Sequence, residues 1–134
     1  MRVAIVSPYS WTYPGGVNRH IEALAAQLSA GGHEVRVLAP WDEDTRATVL
    51  RHRGAHPHPL EKPEWFVPLG PTIGWPSNGA VSNCSPSFTV GARLRRELDA
   101  GGFDVVHLHE PVAPMVGWQA LKSTDAPLVG TLSE

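Results

Sequence analysis

The chain has 134 residues, 42% of them hydrophobic and 18% charged, with 11 Lys and Arg against 13 Asp and Glu for a formal net charge of −2. That length suits one domain, and the even charge balance excludes a strongly basic nucleic-acid binder. One cysteine, Cys84, rules out an internal disulfide and a thiolate metal cage, and no apolar run reaches the ~18 residues of a membrane span.

Residues 1–6 lack the apolar core and cleavage site of a secretion signal, so a cytoplasmic setting is expected. Val3, Ala4, Ile5 and Val6 form a continuous apolar run, which predicts a strand buried on both faces, as in a parallel sheet. A loop follows, carrying Pro14, Gly15 and Gly16. From Val17 the period changes, and Val17, Ile21, Leu24 and Leu28 share one face with Ala25 beside them. This predicts a helix over about 16–30, stopped by Gly31 and Gly32. A second strand over 35–39 completes a βαβ unit with a right-handed crossover.

Residues 41–87 are less regular, with Trp41, Trp65, Trp75 and seven prolines between Pro57 and Pro86. Weak strand patterns lie at 47–51, 65–68 and 79–83, with proline breaking the neighbourhood. A structureless loop of that length is uncommon, so short strands packed by the tryptophans are expected. From Phe88 the helical period returns. Val90, Leu94 and Leu98 share a face, Arg93, Arg95 and Arg96 lie around the other side, and Gly101 and Gly102 end the helix. A strand over 104–109, a helix over 111–122 opened by Pro111, and a strand over 128–132 follow. Alternating strands and helices at both ends predict an α/β domain with a doubly wound, mostly parallel sheet.

Several groups could carry chemistry. Gly15 and Gly16 stand between the first strand and helix, where a bare backbone and a helix N-terminus can receive an anion. They fit neither the dinucleotide fingerprint nor the Walker loop, and a tight helix-starting turn would use the same residues. His107 and His109 share one strand face and could meet a metal, yet no third ligand is placed nearby. They read equally as one buried histidine and one at a strand tip, where His109 would face the same crevice as Gly15 and Gly16. His56 and His58 alternate with prolines and read as an extended loop. Arg93, Arg95 and Arg96 suit a solvated face, an anionic lipid surface or an acidic partner. Cys84 has no base beside it and reads as an unreactive loop or buried thiol.

Three segments together resemble a known family. They are Val3-Ala4-Ile5-Val6-Ser7-Pro8-Tyr9-Ser10, Pro14-Gly15-Gly16-Val17-Asn18-Arg19-His20 and Gly31-Gly32-His33-Glu34-Val35. They are similar to the start of retaining GT-B glycosyltransferases of family 4, with the strongest likeness to phosphatidyl-myo-inositol mannosyltransferase-like enzymes. Phe103-Asp104-Val105-Val106-His107-Leu108-His109-Glu110-Pro111 resembles a second hallmark of those enzymes. Val67-Pro68-Leu69-Gly70 and Pro76-Ser77-Asn78-Gly79 look like the loop before their basic helix.

The resemblance implies a Rossmann-like N-terminal half of a GT-B fold, spanning residues 1–134 as the acceptor-side domain. It implies that Gly15 and Gly16 lie by the donor diphosphate, that Tyr9 and Asn18 line the acceptor pocket, and that His109 sits beside the transferred sugar. Asn18 departs from the Gln common in the inositol-specific enzymes. Arg93, Arg95 and Arg96 match the membrane-facing helix of the lipid-glycosylating members, which implies peripheral contact at the inner membrane face. The co-substrate would be a GDP- or UDP-linked sugar, with no metal and no other cofactor. No covalent carboxylate pair is apparent in the sequence, so catalysis would rest on electrostatic support of an oxocarbenium-like transition state.

Two further departures shape the expectation. Leu132-Ser133-Glu134 replaces the usual Phe-His-Thr, and the family's nucleotide-gripping second domain is absent from these residues. The chain is expected to be a truncated domain, inactive alone, whose exposed last strand could drive dimer formation. A non-catalytic acceptor- or anion-binding subunit is the competing reading, and a histidine-metal hydrolase a remote one.

Overall fold

The computed structural model describes residues 1–13, 15–77, 80–84, 88–109 and 125–131. Its elements run β1 (Arg2–Val6), α1 (Gly16–Ala30), β2 (Glu34–Ala39), α2 (Arg46–Arg51), β3 (Phe66–Pro68), β4 (Ile73–Ser77), β5 (Ala80–Cys84), α3 (Phe88–Gly101), β6 (Val105–His109) and β7 (Leu128–Thr131). Five strands form one sheet in the order β3-β2-β1-β6-β7, and every pairing in it is parallel. β4 and β5 form a separate antiparallel hairpin.

The apolar run of β1 explains its central place. Alternate side chains of a strand point to opposite faces, so a run apolar at every position needs cover on both. Ala4 and Val6 join Leu38, Val106 and Leu108 beneath Leu94 and Leu98 of α3. Val3 and Ile5 join Val35, Val37 and Ala39 beneath Ile21 and Ala25 of α1. α1 contributes the apolar stripe its sequence predicts, and α3 contributes Leu94 and Leu98 of its own. The sheet is therefore covered by α1 on one face and α3 on the other, the doubly wound α/β, Rossmann-like arrangement expected.

The α1-covered face extends into aromatics. Trp11, Trp41, Trp65 and Phe66 pack ring to ring, with Trp11 5.4 Å and Trp41 5.2 Å from Phe66 between centroids. Trp41 and Trp65 do pack the irregular stretch, and Trp11 from the first loop joins them. Gly32 and Gly102 adopt positive φ just after α1 and α3, the conformation that lets these helices stop sharply.

Two details differ from expectation. Residues 47–51 lie in helix α2, where the sequence pattern predicts a strand. Thr45 caps it, its side chain accepting from the Thr48 backbone N–H at 3.2 Å, and that cap outweighs the β-branched Thr48 and Val49. The strand expected at 79–83 is β5, and its partner β4 is unexpected because Pro76 argues against it. In a two-stranded hairpin each strand has a free edge, which is where proline is tolerated. Cys84 ends β5. The helix predicted over 111–122 lies outside the described residues. β7 exposes Leu128 and Val129, 36% and 47% accessible.

Strand order fixes where a ligand can lie. The chain moves from β1 outward to β2 and β3, then returns to lay β6 along the other side of β1. The winding reverses between β1 and β6, and in open α/β sheets the crevice at the carboxyl ends of such a strand pair receives ligands.

Candidate functional site

The loop leaving β1 is tied down by its backbone. The Ser7 N–H donates to Leu38 O at 3.0 Å and the Trp11 N–H to Pro40 O at 2.9 Å, extending the β1–β2 contact past the strand ends. Tyr9, half-buried in this loop, donates its backbone N–H to Ser7 Oγ at 3.2 Å. Gly15 then caps α1 in an extended conformation, with no side chain capping the helix end. Neither Gly15 nor Gly16 has positive φ, and a Cβ on either would meet open space. Chain geometry and packing thus impose no glycine here. A bare helix start with uncapped N–H groups opens onto the crevice.

Asn18, in the first turn of α1, is buried at 6% exposure. Its Nδ2 donates to Ser10 O at 3.0 Å and more weakly to Trp11 O at 3.5 Å, holding the loop against the helix. That leaves Oδ1 buried without a hydrogen-bond partner. A buried acceptor in that state costs about 1–3 kcal/mol, and a ligand hydroxyl would relieve it.

On the other side of the switch point β6 delivers His107 and His109 to one face, as the spacing predicts. Their rings stack at 4.6 Å, 22° apart. His109 is 2% exposed. His107 sits opposite Thr131 of β7, with Nε2 2.7 Å from Thr131 Oγ1. Burial, and then the nearby His20, holds His107 below the usual imidazole range. His20 comes from α1, its ring edge-on to His109 at 5.5 Å and 63°. Sequence spacing gives no sign of that third imidazole. Among the described residues no group of three or more His, Cys, Asp or Glu could hold a metal ion.

Arg93, Arg95 and Arg96 stand on the exposed side of α3, opposite buried Leu94 and Leu98. They lie on the helix, away from the strand ends that carry the glycines and histidines. His56, in its proline-rich loop, pairs with Asp44 at 3.0 Å.

The sequence pattern also gives no hint of a buried polar knot behind the crevice loop. Asp42 Oδ1 accepts the Thr72 N–H at 2.9 Å, and Oδ2 accepts the Thr72 hydroxyl at 2.6 Å. His52 Nε2 lies 3.1 Å from the same Thr72 oxygen. Thr12, from the β1–α1 loop, bonds the Asp42 backbone through its hydroxyl, donating to Asp42 O at 2.9 Å. Tyr13 stacks on His52 at 4.1 Å and donates to Ala55 O at 2.8 Å. Partial burial, with Asp42 and Asp44 nearby, pushes the Tyr13 phenol up to about 12.

Residues 14–132 match the sequence profile of Glycosyltransferase Family 4. The chain belongs to this family. Over 131 residues it is 40% identical to a phosphatidyl-myo-inositol mannosyltransferase of Mycobacterium leprae, covering 98% of this chain and 31% of that protein. The corresponding enzyme of Propionibacterium freudenreichii is 37% identical over 131 residues, 98% of this chain and 32% of the relative. A D-inositol 3-phosphate glycosyltransferase of Jonesia denitrificans is 29% identical over 123 residues, 88% of this chain and 26% of the relative. This family 4 glycosyltransferase chain therefore spans about a third of the length of the mannosyltransferases it matches. Its matched region takes in both sides of the β1–β6 crevice.

Proposed function

We propose that the chain is the acceptor-side N-terminal domain of a retaining glycosyltransferase, which moves a hexose from a GDP- or UDP-linked sugar to a hydroxyl of an inositol-bearing acceptor. The observation that carries this reading is the crevice at the β1–β6 switch point, where an uncapped glycine helix start and a buried, unpartnered acceptor lie side by side. The first suits a diphosphate and the second a hydroxyl. The names of the relatives supply the inositol chemistry.

In this reading the N–H groups at Gly15 and Gly16 face the donor diphosphate. Asn18 Oδ1 accepts from an acceptor hydroxyl, Tyr9 lines the same side, and His109 stands beside the transferred sugar. The bond between the anomeric carbon and the diphosphate oxygen breaks, and the acceptor oxygen bonds to that carbon. The proton of the acceptor hydroxyl leaves with the diphosphate. The site lowers the barrier by aligning the two reactants and by supporting the charge that separates between sugar and leaving group. Turnover needs a nucleotide-binding half in addition to this domain. Arg93, Arg95 and Arg96 give α3 a cationic face suited to an anionic lipid surface, each worth about 1 kcal/mol there. Among the described residues no helix is long and apolar enough to cross a membrane.

The test uses the complete gene product, offered GDP-mannose and a set of UDP-hexoses with vesicles containing phosphatidylinositol. The expected product is the lipid carrying one added hexose, seen by mass spectrometry. Nucleotide binding without transfer to phosphatidylinositol or to inositol phosphate would return the chain to the reading of a binding subunit. Replacing the three arginines with Glu should reduce vesicle co-sedimentation, and unchanged co-sedimentation would remove the membrane-facing role.

A further inference from the structure

His20 lies one helical turn beyond Gly16, on the same side of α1, and its ring reaches His109 at the end of β6. The contacts of this one ring link the two halves of the switch point. Thr131 of β7 meets His107 Nε2 at 2.7 Å, His107 stacks on His109 at 4.6 Å, and His20 closes edge-on against His109 at 5.5 Å. The groups run from the outer strand, across β6, to α1.

Stability does not explain that grouping. Burial and the nearby His20 disfavour the charged form of His107, and an apolar side chain would pack the space without that penalty. His20 is itself exposed, so little buried surface depends on it. What the arrangement does provide is orientation. A histidine at a strand tip is free to turn about χ1 and χ2 unless its ring is held, and a ring misplaced by an ångström can lose much of its value to a reaction. His107 is itself held by Thr131 and offers its face to His109, while His20 supplies a contact from a different element.

We propose that His20 is a positioning residue for His109, its imidazole edge fixing the orientation in which His109 meets the transferred sugar. The proposal rests on the glycosyltransferase reading for the role of His109, but the ring contact itself can be measured apart from activity. Because the contact is an edge-on ring packing, an aromatic carbocycle should replace it and an aliphatic side chain should not.

The experiment compares His20→Ala, His20→Phe and wild type in the complete gene product, by transfer kinetics and by NMR of selectively labelled imidazoles. His20→Ala should lower kcat about tenfold with donor KM within about twofold, and His20→Phe should restore most of that loss. In the spectra the His109 ring signals should move in His20→Ala, while those of His52, in the separate knot, stay in place and report an intact fold. Unmoved His109 signals would overturn the proposal. So would a rise in KM at constant kcat, which would make His20 a direct substrate contact. Absence of transfer by the wild type would count against the glycosyltransferase reading, and the imidazole signals would still decide the positioning role.

Discussion

The switch-point crevice and the Asp42 knot are both polar, and they treat polar groups in opposite ways. In the knot, both carboxylate oxygens of Asp42 accept from Thr72, the Thr72 hydroxyl also meets His52, and Tyr13 covers the His52 ring. The knot ties the β1–α1 loop, the end of β2, the end of α2 and the approach to β4 into one wall. Across the loop, the crevice leaves the Asn18 Oδ1 buried and unpartnered and the start of α1 uncapped. A satisfied buried network specifies structure, whereas an unsatisfied one is a standing penalty that a ligand can remove. The loop that carries Tyr9 and leads to Asn18 runs between the two and takes its rigidity from the knot.

Breaking the knot should cost the most. Asp42→Ala strands the Thr72 N–H in a dry interior and leaves the Thr72 hydroxyl with His52 in place of the carboxylate, and should lower unfolding free energy by about 3 kcal/mol in denaturant titration. A loss well under that would mean the wall stands without the carboxylate. On the crevice side the balance should reverse. Asn18→Ala gives up two bonds to loop carbonyls but also removes the orphan acceptor, so its stability cost should be about 1 kcal/mol. Its transfer rate should fall by a larger factor than that free energy implies. Gly16→Ala sharpens the contrast further. Nothing blocks the new methyl and the helix gains a better residue, so stability should hold or rise by about 0.5 kcal/mol while donor affinity falls. Unimpaired donor binding by this variant would detach the glycines from the diphosphate.

Acid and alkali should separate the same two regions with smaller effects. His107 is held below its ordinary value of 6.5, so the fold binds fewer protons than the unfolded chain. Its contribution is complete at neutral pH and is lost as pH falls below that value, and His107→Gln should flatten the acid limb of the stability profile. Tyr13 is shifted the other way, from 10.0 to about 12, so the fold keeps a proton that the unfolded chain releases. Stability from this source is complete below pH 10 and declines as pH climbs toward 12. Tyr13→Phe keeps the stack on His52 and should remove that alkaline decline.

The sheet was legible because its message is local. Val3 to Val6 announce a doubly buried strand, Ile21 and Ala25 lie on a helical stripe, and each is read within a few residues. Thr45 shows the limit of such reading, since one side-chain cap turned a β-branched stretch into α2. The His-x-His face of β6 was legible for the same reason, as strand side chains alternate. His20 was not, because only the return of the chain to the far side of β1 brings α1 beside β6. The knot was hidden still more thoroughly. Asp42, His52 and Thr72 sit in three separate connecting segments, and no periodicity relates them. Family resemblance pointed to Gly15, Gly16 and Asn18 without this geometry, but the spare acceptor on Asn18 became visible only once its amide partners were known.

The parallel pairing of β1 with β6 also has a bearing on biosynthesis. β1 is made before β6 and borders it, and Arg2 and Asp104 clasp one another through two hydrogen bonds, the Arg2 N–H donating to Asp104 Oδ2 at 2.7 Å and the Asp104 N–H to Arg2 O at 2.8 Å. Until residue 109 has cleared the exit tunnel, the nascent βαβ unit presents one bare, apolar strand edge to its surroundings. Such edges recruit other chains, and long-range parallel pairs close slowly. The centre of the sheet thus stays open from the synthesis of β1 to that of β6, an interval in which a chaperone would find a bare edge to hold.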